Sequence, residues 1–253
     1  IEVMETYGTD ALRYAMMLIA PHGQDLLYSN DQVEVGRNFA NKLWNASRLV
    51  LMHYGHSPPG LVDTRNLWDR WILSRLSKVV EQTTKSLEKY AFHETALLLY
   101  DFFWHDYCDW YLEVIKQRLY NDEDVESREE ARRPAGLVLD LTLRLFHPFM
   151  PFITEEIWQE LNRFRPTDEL APASIVVSSW PEVEQDWIQE ATERDVLYVQ
   201  ELIGAIRGVR ADFRVHPTYE MTVYCQVGNS RIKQALSIQA DTVKSLCRST
   251  LEF

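Results

Sequence analysis

Cysteine is scarce in this chain: Cys108, Cys225 and Cys247 are its only three, far apart in sequence. That spacing provides neither a disulfide framework nor a paired-thiolate metal site, so reduced thiols are expected. His105 and Cys108 stand three apart, as do His53 and His56, yet neither pair has the further ligands zinc requires, and no metal is expected. The nine glycines are scattered, and Gly204 and Gly208 fall inside a helical pattern without the Lys-Ser or Lys-Thr that completes a phosphate loop. A Gly-x-Ser-x-Gly elbow and a His-Glu-x-x-His helix are also missing, so no catalytic residue is assigned. No apolar run approaches the ~20 residues that span a bilayer, and a soluble, cytoplasmic protein without membrane contact is expected. Basic residues are outnumbered, 26 Lys and Arg against 38 Asp and Glu, and the net charge of −12 excludes a generic basic coat for nucleic acid. An initial Met is missing too: Ile1 enters mid-pattern, which reads as a piece excised from something longer.

What is present is length enough for a large core, 253 residues with 46% apolar and 25% charged, ordinary for a globular protein. Apolar spacing predicts a helix over 4–20 interrupted at Gly8, then one from a cap at Asn30 or Asp31 to Tyr54, and one over 65–90 capped by Asp63 or Thr64. A helix over 92–120 follows, and another starts after the acidic loop and runs to Phe146, broken at His147-Pro148. The next helix starts near Pro151, with Thr154 placed to cap it and Glu155 and Glu156 beside its positive end. Beyond a linker at 166–172, a short strand at 174–178, a helix over 192–213, a strand within 220–227 and a helix over 231–246 are expected. The fold class is mainly α: a helical bundle with a small α/β C-terminal appendage. Its parts are a short entry region at 1–30, the bundle at 31–165 and the appendage at 166–253.

Charge is unevenly placed. From Arg37 to Arg48 there are three cations and no acid, whereas 122–130 holds six acids against one Arg. Asn38, Lys42, Asn45 and Leu49 share one helical stripe, flanked by Arg37, Asn41 and Arg48, and offer amides to base edges and charge to phosphates. The competing reading is a wet polar face over buried Phe39, Leu43, Trp44 and Val50. The aromatic helix 103–119 carries a second charged face, Asp109, Glu113 and Lys116, opposite Phe103, Tyr107, Trp110 and Val114.

Several segments together resemble the class I aminoacyl-tRNA synthetases of the valine, isoleucine and leucine group. Tyr7-Gly-Thr-Asp-Ala-Leu-Arg13 resembles the helix after that family's Lys-Met-Ser-Lys-Ser loop, which would make 1–30 the end of its stem-contact connection. Residues 37–48 resemble the first helix of its anticodon-binding domain, and 148–158, with the stretch from Ile175 to Pro181, resemble what lies late in that bundle. Cys108-Asp-Trp-Tyr-Leu-Glu113 followed by Lys116, and 204–217, are similar to the valine branch.

The resemblance implies an anticodon-binding part of a monomeric ligase, holding the anticodon stem-loop of a valine tRNA. It implies no cofactor here, with ATP and magnesium bound by the parent's catalytic domain, so this part alone is expected to be inactive. Where the resemblance and the helical faces coincide, Lys42 and Arg48 would meet phosphates or base acceptors, Asn45 a base edge, and Leu49 a splayed base. Leu112 would pack against a base, Glu113 would accept from an exocyclic amine, and Lys116 would meet the backbone, with Arg37 equally explicable as a partner for an acid. The same domain of an isoleucine or leucine enzyme, or a helical protein–protein module, are the alternatives.

Overall fold

The computed structural model describes residues 1–19, 29–54, 65–164 and 172–253. Helices α1 (Glu2–Tyr7) and α2 (Thr9–Ile19) meet at Gly8, whose φ of 95° suits a residue without a β-carbon. The expected turn at 21–23, the link at 25–28, the stop at 55–60, the caps Asp63 and Thr64, and most of the 166–172 linker lie outside the described residues.

Helix α3 (Asn30–Tyr54) has its expected span, but Ser29 rather than Asn30 or Asp31 starts it. The Ser29 N–H donates to Gln32 Oε1 at 2.9 Å while Gln32 N–H donates to Ser29 Oγ at 3.4 Å, a reciprocal box that satisfies two donors left open at a helix start. Helix α4 (Leu67–Glu88) begins at Asn66, whose side chain accepts from Trp68 N–H at 2.9 Å.

The single helix expected over 92–120 keeps right-handed backbone angles at both internal junctions but changes pitch. It comprises α5 (Phe92–Asp101), a π-helical stretch (Phe102–Leu112) and α6 (Glu113–Leu119). A π-turn is wider than an α-turn, so adjacent pairs Phe102–Phe103, Tyr107–Cys108 and Tyr111–Leu112 turn inward. Two tyrosine hydroxyls are satisfied inside: Tyr107 donates to the Ala135 carbonyl and Tyr111 to Asp69 Oδ1, each at 2.7 Å.

Helix α7 (Val125–Phe146) is capped by Asp124 and ends at the expected break, and α8 (Pro151–Asn162) follows. Thr154 does not cap α8. It is buried within the helix, its hydroxyl donating back to the Met150 carbonyl at 2.8 Å. The cap comes from α2: Asp10 Oδ2 accepts from Ile153 N–H at 2.7 Å. Glu155 acts as a clamp, accepting from Ser174 Oγ at 2.7 Å and Ile175 N–H at 3.1 Å. The strand expected at 174–178 is instead a 3₁₀ turn (Ile175–Val177), in which only Ile175 is buried and with which no strand pairs among the described residues.

A second 3₁₀ turn (Gln185–Trp187) leads to α9 (Glu190–Asp212), which lies on α4 through Ser74, Lys78 and Glu193, with Lys78 Nζ 2.9 Å from the Glu193 carboxylate. Strand β1 (Met221–Tyr224) was expected. The helix expected over 231–246 is instead two, α10 (Ser230–Ile238) and α11 (Ala240–Cys247), joined at Gln239. An unforeseen strand, β2 (Ser249–Glu252), pairs in parallel with β1, Met221 opposite Ser249 and Tyr224 opposite Glu252. The protein is thus mainly α with a small parallel sheet. Its core runs from an aromatic cluster of Tyr14, Phe39, Phe103 and Phe146 to the buried Trp68 and Trp158.

Candidate nucleic-acid interface

Helix α3 buries Val33, Gly36, Phe39, Leu43, Ala46, Ser47, Val50 and Tyr54, and this inward line fixes what faces out. Gly36 is required by contact rather than by conformation: a β-carbon there would stand 2.1 Å from the Ala11 carbonyl oxygen. Backbone cannot retreat as a side-chain tip can, so Gly36→Ala is expected to destabilise the fold by about 1–3 kcal/mol in urea denaturation. An unchanged midpoint would show that α2 and α3 can separate without cost.

Outward stand Asn38, Asn41, Asn45 and Arg48, all exposed, with Lys42 and Leu49 half-buried. Trp44 corrects the expectation of burial, being 43% exposed. It sits one residue past the inward Leu43, about 100° round the helix, which carries a large ring to the rim. Exposed aromatics of this kind are legible only once the inward line is fixed.

The structure divides the single stripe read from sequence. On one side, Lys42 Nζ lies 2.9 Å from Asp109 Oδ1 and 4.9 Å from the Trp104 ring centre, and His105 Nδ1 is 3.2 Å from Asp109 Oδ2. Trp104 stacks on Tyr100, ring centres 5.3 Å apart, so this edge is an aromatic shelf carrying a cation, an acid and an imidazole. Lys42 is not a free cation, but an exposed ion pair of this kind is worth only ~0.2–1 kcal/mol, so a phosphate can displace Asp109 at small cost.

On the other side, Arg48 makes no ion pair among the described residues and borders a cleft of about 300 Å³ between α3 and α8. Trp44, Leu51 and Ile157 supply its apolar walls, and Glu156 and Glu160 supply acceptors. Arg37 stands apart, 3.7 Å from Glu34 and 5.5 Å from the Tyr7 ring centre, in line with the alternative that it pairs with an acid.

On the aromatic helix, Leu112 is only 2% exposed and has no surface to offer a base. The physical reason is the π-helical pitch, which turns Tyr111 and Leu112 inward and leaves Trp110 and Val114, expected inside, half-exposed. Glu113 and Lys116 do face outward and are bonded to each other. Cys108 is buried, which pushes its thiol up to about 12 and leaves it inert. Among the described residues, no group of three or more His, Cys, Asp or Glu could hold a metal ion.

The surface thus combines amides, cations, aromatic edges and carboxylate acceptors on two neighbouring helices, the groups by which proteins stack and hydrogen-bond unpaired RNA bases. Among the described residues, no helix is long and apolar enough to cross a membrane.

Comparison with known proteins identifies the kind of module this is. Residues 69–225 match the family described as the anticodon-binding domain of tRNA ligase. A valine–tRNA ligase of Geobacillus stearothermophilus is 40% identical over 239 residues, 93% of this chain and 26% of that protein. One of Geobacter sulfurreducens is 40% identical over 252 residues, 97% of this chain and 28% of that protein. The chain therefore spans about a quarter of the length of the curated relatives it matches.

Among solved structures, the LeuRS of an Agrobacterium radiobacter K84 LeuRS–tRNA–LeuAMS ternary complex shares the fold with a TM-score of 0.57 at 16% identity, over 74% of this chain and 21% of that one. The apo methionyl-tRNA synthetase of Mycobacterium tuberculosis gives 0.51 at 19% identity, over 72% of this chain and 38% of that one. The family match covers more than half of the chain, in a helical bundle whose exposed amides and cations lie on α3: this chain belongs to the anticodon-binding domains of tRNA ligases.

Proposed function

We propose that this chain holds the anticodon stem-loop of a valine tRNA as one part of a valine–tRNA ligase. The observation that carries the reading is the exposed row Asn38, Asn41, Asn45 and Arg48 on α3, acid-free and free of apolar cover. In the proposed complex Asn45 reads a base edge, Arg48 and Lys42 meet phosphates or base acceptors, and Leu49 supports a splayed base from the rim. Glu113 accepts from an exocyclic amine, and Lys116 exchanges Glu113 for the RNA backbone. Single-stranded loop bases are the fitting target, because side chains cannot read the deep, narrow major groove of A-form RNA.

The enzyme's chemistry, attachment of valine with ATP and magnesium, belongs in this reading to the remainder of a monomeric, cytoplasmic parent. Relatives at 36–40% identity that bear the name valine–tRNA ligase favour valine over isoleucine or leucine as the cognate amino acid.

The test is fluorescence-anisotropy binding of a labelled valine-anticodon stem-loop, against one with its anticodon altered, across a salt series. Discrimination of about 1 kcal/mol or more, the scale of a lost base contact, is expected. Lys42→Ala is expected to flatten the dependence of log affinity on log salt by about one unit, and Asp109→Asn, which frees Lys42, to tighten binding at low salt. Equal slopes in all three proteins would remove Lys42 from the interface.

A further inference from the structure

Resting on that reading, we propose that the C-terminal lobe is a second RNA-binding surface, which grips the phosphate backbone of the same tRNA outside the anticodon loop without reading its sequence.

The argument begins with charge. The lobe in question is the second half of α9 with α10, α11 and the two strands: residues 203–253 carry seven Lys and Arg against four Asp and Glu, a net +3, whereas the preceding 202 residues carry −15. Pairing sharpens the contrast. In the bundle, cations are largely spoken for: Lys42, Arg75, Lys78 and Arg118 each stand within 2.9 Å of a carboxylate oxygen. In the lobe, Arg207, Arg214, Lys244 and Arg248 are all exposed, and among the described residues none of them enters an ion pair.

These cations converge. Arg207 lies close enough to the Cys247 thiol at the end of α11 to favour its charged form, and Arg248 is the next residue along the chain. Lys244 lies one helical turn before Arg248. Arg210, three residues after Arg207, is fixed by the carbonyls of His216 and Tyr219 at 2.9 and 3.0 Å, and so holds the turn that carries Arg214. Met221 N–H donates to the Arg248 carbonyl at 3.1 Å, tying that turn to α11 at the end of the sheet. Phe213 and Tyr219 stand 79% and 63% exposed beside them, aromatic faces interleaved with cations. Unpaired cations with exposed rings suit a polyanion that also carries bases.

The patch is continuous with the candidate anticodon face. The Arg207 guanidinium lies 5.7 Å from the Trp110 ring centre, and Gln117 of α6 bonds Ser245 of α11. Glu113 falls between Trp110 and Gln117 on that same helix, so a stem-loop seated on Glu113 and Lys116 has its backbone beside the lobe. The acidic remainder of the surface repels the polyanion and confines it to this track.

The test uses Arg214→Gln/Lys244→Gln in the full 253-residue chain, since both residues are exposed and neither enters an ion pair among the described residues. Arg207→Gln is a separate variant because it also contacts Trp110 and Cys247. Binding of labelled RNA hairpins with valine or altered anticodon loops, on short and extended stems, is followed over a salt series. The double variant is expected to lower the salt slope by about two units for every hairpin, most for the extended stem, with the ratio between anticodons unchanged. A wild-type slope in the double variant, with anticodon discrimination intact, overturns this proposal and leaves the anticodon reading standing. A lowered slope without discrimination in any protein does the reverse. Absence of RNA binding by the wild type at low salt overturns both.

Discussion

Asp69→Asn is expected to be the most damaging conservative substitution in the chain, lowering stability by about 3–5 kcal/mol in urea denaturation at neutral pH. Asp69 is 1% exposed on α4, and its carboxylate accepts from Tyr111 of the π-helical stretch at 2.7 Å and from Arg118 Nη1 of α6 at 2.9 Å. Arg118 reaches on to Ser127 Oγ at 3.2 Å and Glu130 at 3.6 Å, so one buried network ties three neighbouring helices together. Burial pushes the Asp69 carboxyl upward, while Arg118 and the Tyr111 hydroxyl pull it down.

An amide of the same shape removes the charge facing Arg118 and leaves the guanidinium underpaired in the interior, the dominant cost. A control separates that cost from lost packing. Replacing Asp69, Tyr111 and Arg118 together by apolar residues of similar volume is expected to recover most of the loss, because no charge is then stranded. If Asp69→Asn unfolds at the wild-type midpoint, Arg118 is fully satisfied by Ser127 and Glu130, and the network is not what fixes the π-helical stretch.

Trp44→Ala carries the largest expected effect on binding. A ring 43% exposed at the mouth of the α3–α8 cleft contributes little to the core but is placed to stack on a nucleobase. Alanine substitution at such a platform costs about 1–3 kcal/mol, a loss of roughly 5- to 150-fold in affinity for the stem-loop. Trp44→Phe keeps a stacking face and is expected to retain most of the binding, while both variants unfold near the wild-type midpoint. Glu160→Gln separates stacking from recognition: losing a carboxylate acceptor should narrow the gap between anticodons more than it lowers affinity for all of them. Unaltered binding in Trp44→Ala would restrict the interface to the Lys42 side of α3.

Local pattern alone determined a good deal. The spans of α3 and α9, the end of α7, the interruption at Gly8, the break at His147-Pro148 and the strand at β1 follow from apolar period and from Gly and Pro chemistry, which act within a few residues; the start of α7 does not, since it lies inside the acidic stretch, at Val125. The face of α3 was legible in part for the same reason: Asn38 and Asn45 of the expected stripe lie outward with the flanking Asn41 and Arg48, because Phe39, Leu43 and Val50 lie inward, while Lys42 and Leu49 are half-buried. The family was legible in ordered motifs.

Other features depended on partners far away in sequence. Leu112 and Tyr111 turn inward because aromatic packing against the bundle widens their helix to π pitch, a choice that a period of 3.6 residues cannot anticipate. Thr154 yields the cap of α8 to Asp10, more than a hundred residues earlier, because folding brings that carboxylate to the open N–H groups. Four residues at β2 form a strand only because β1 offers them a ladder. That four cations of the C-terminal lobe enter no ion pair among the described residues shows only once side chains have positions, since charge in a sequence has sign but no distance.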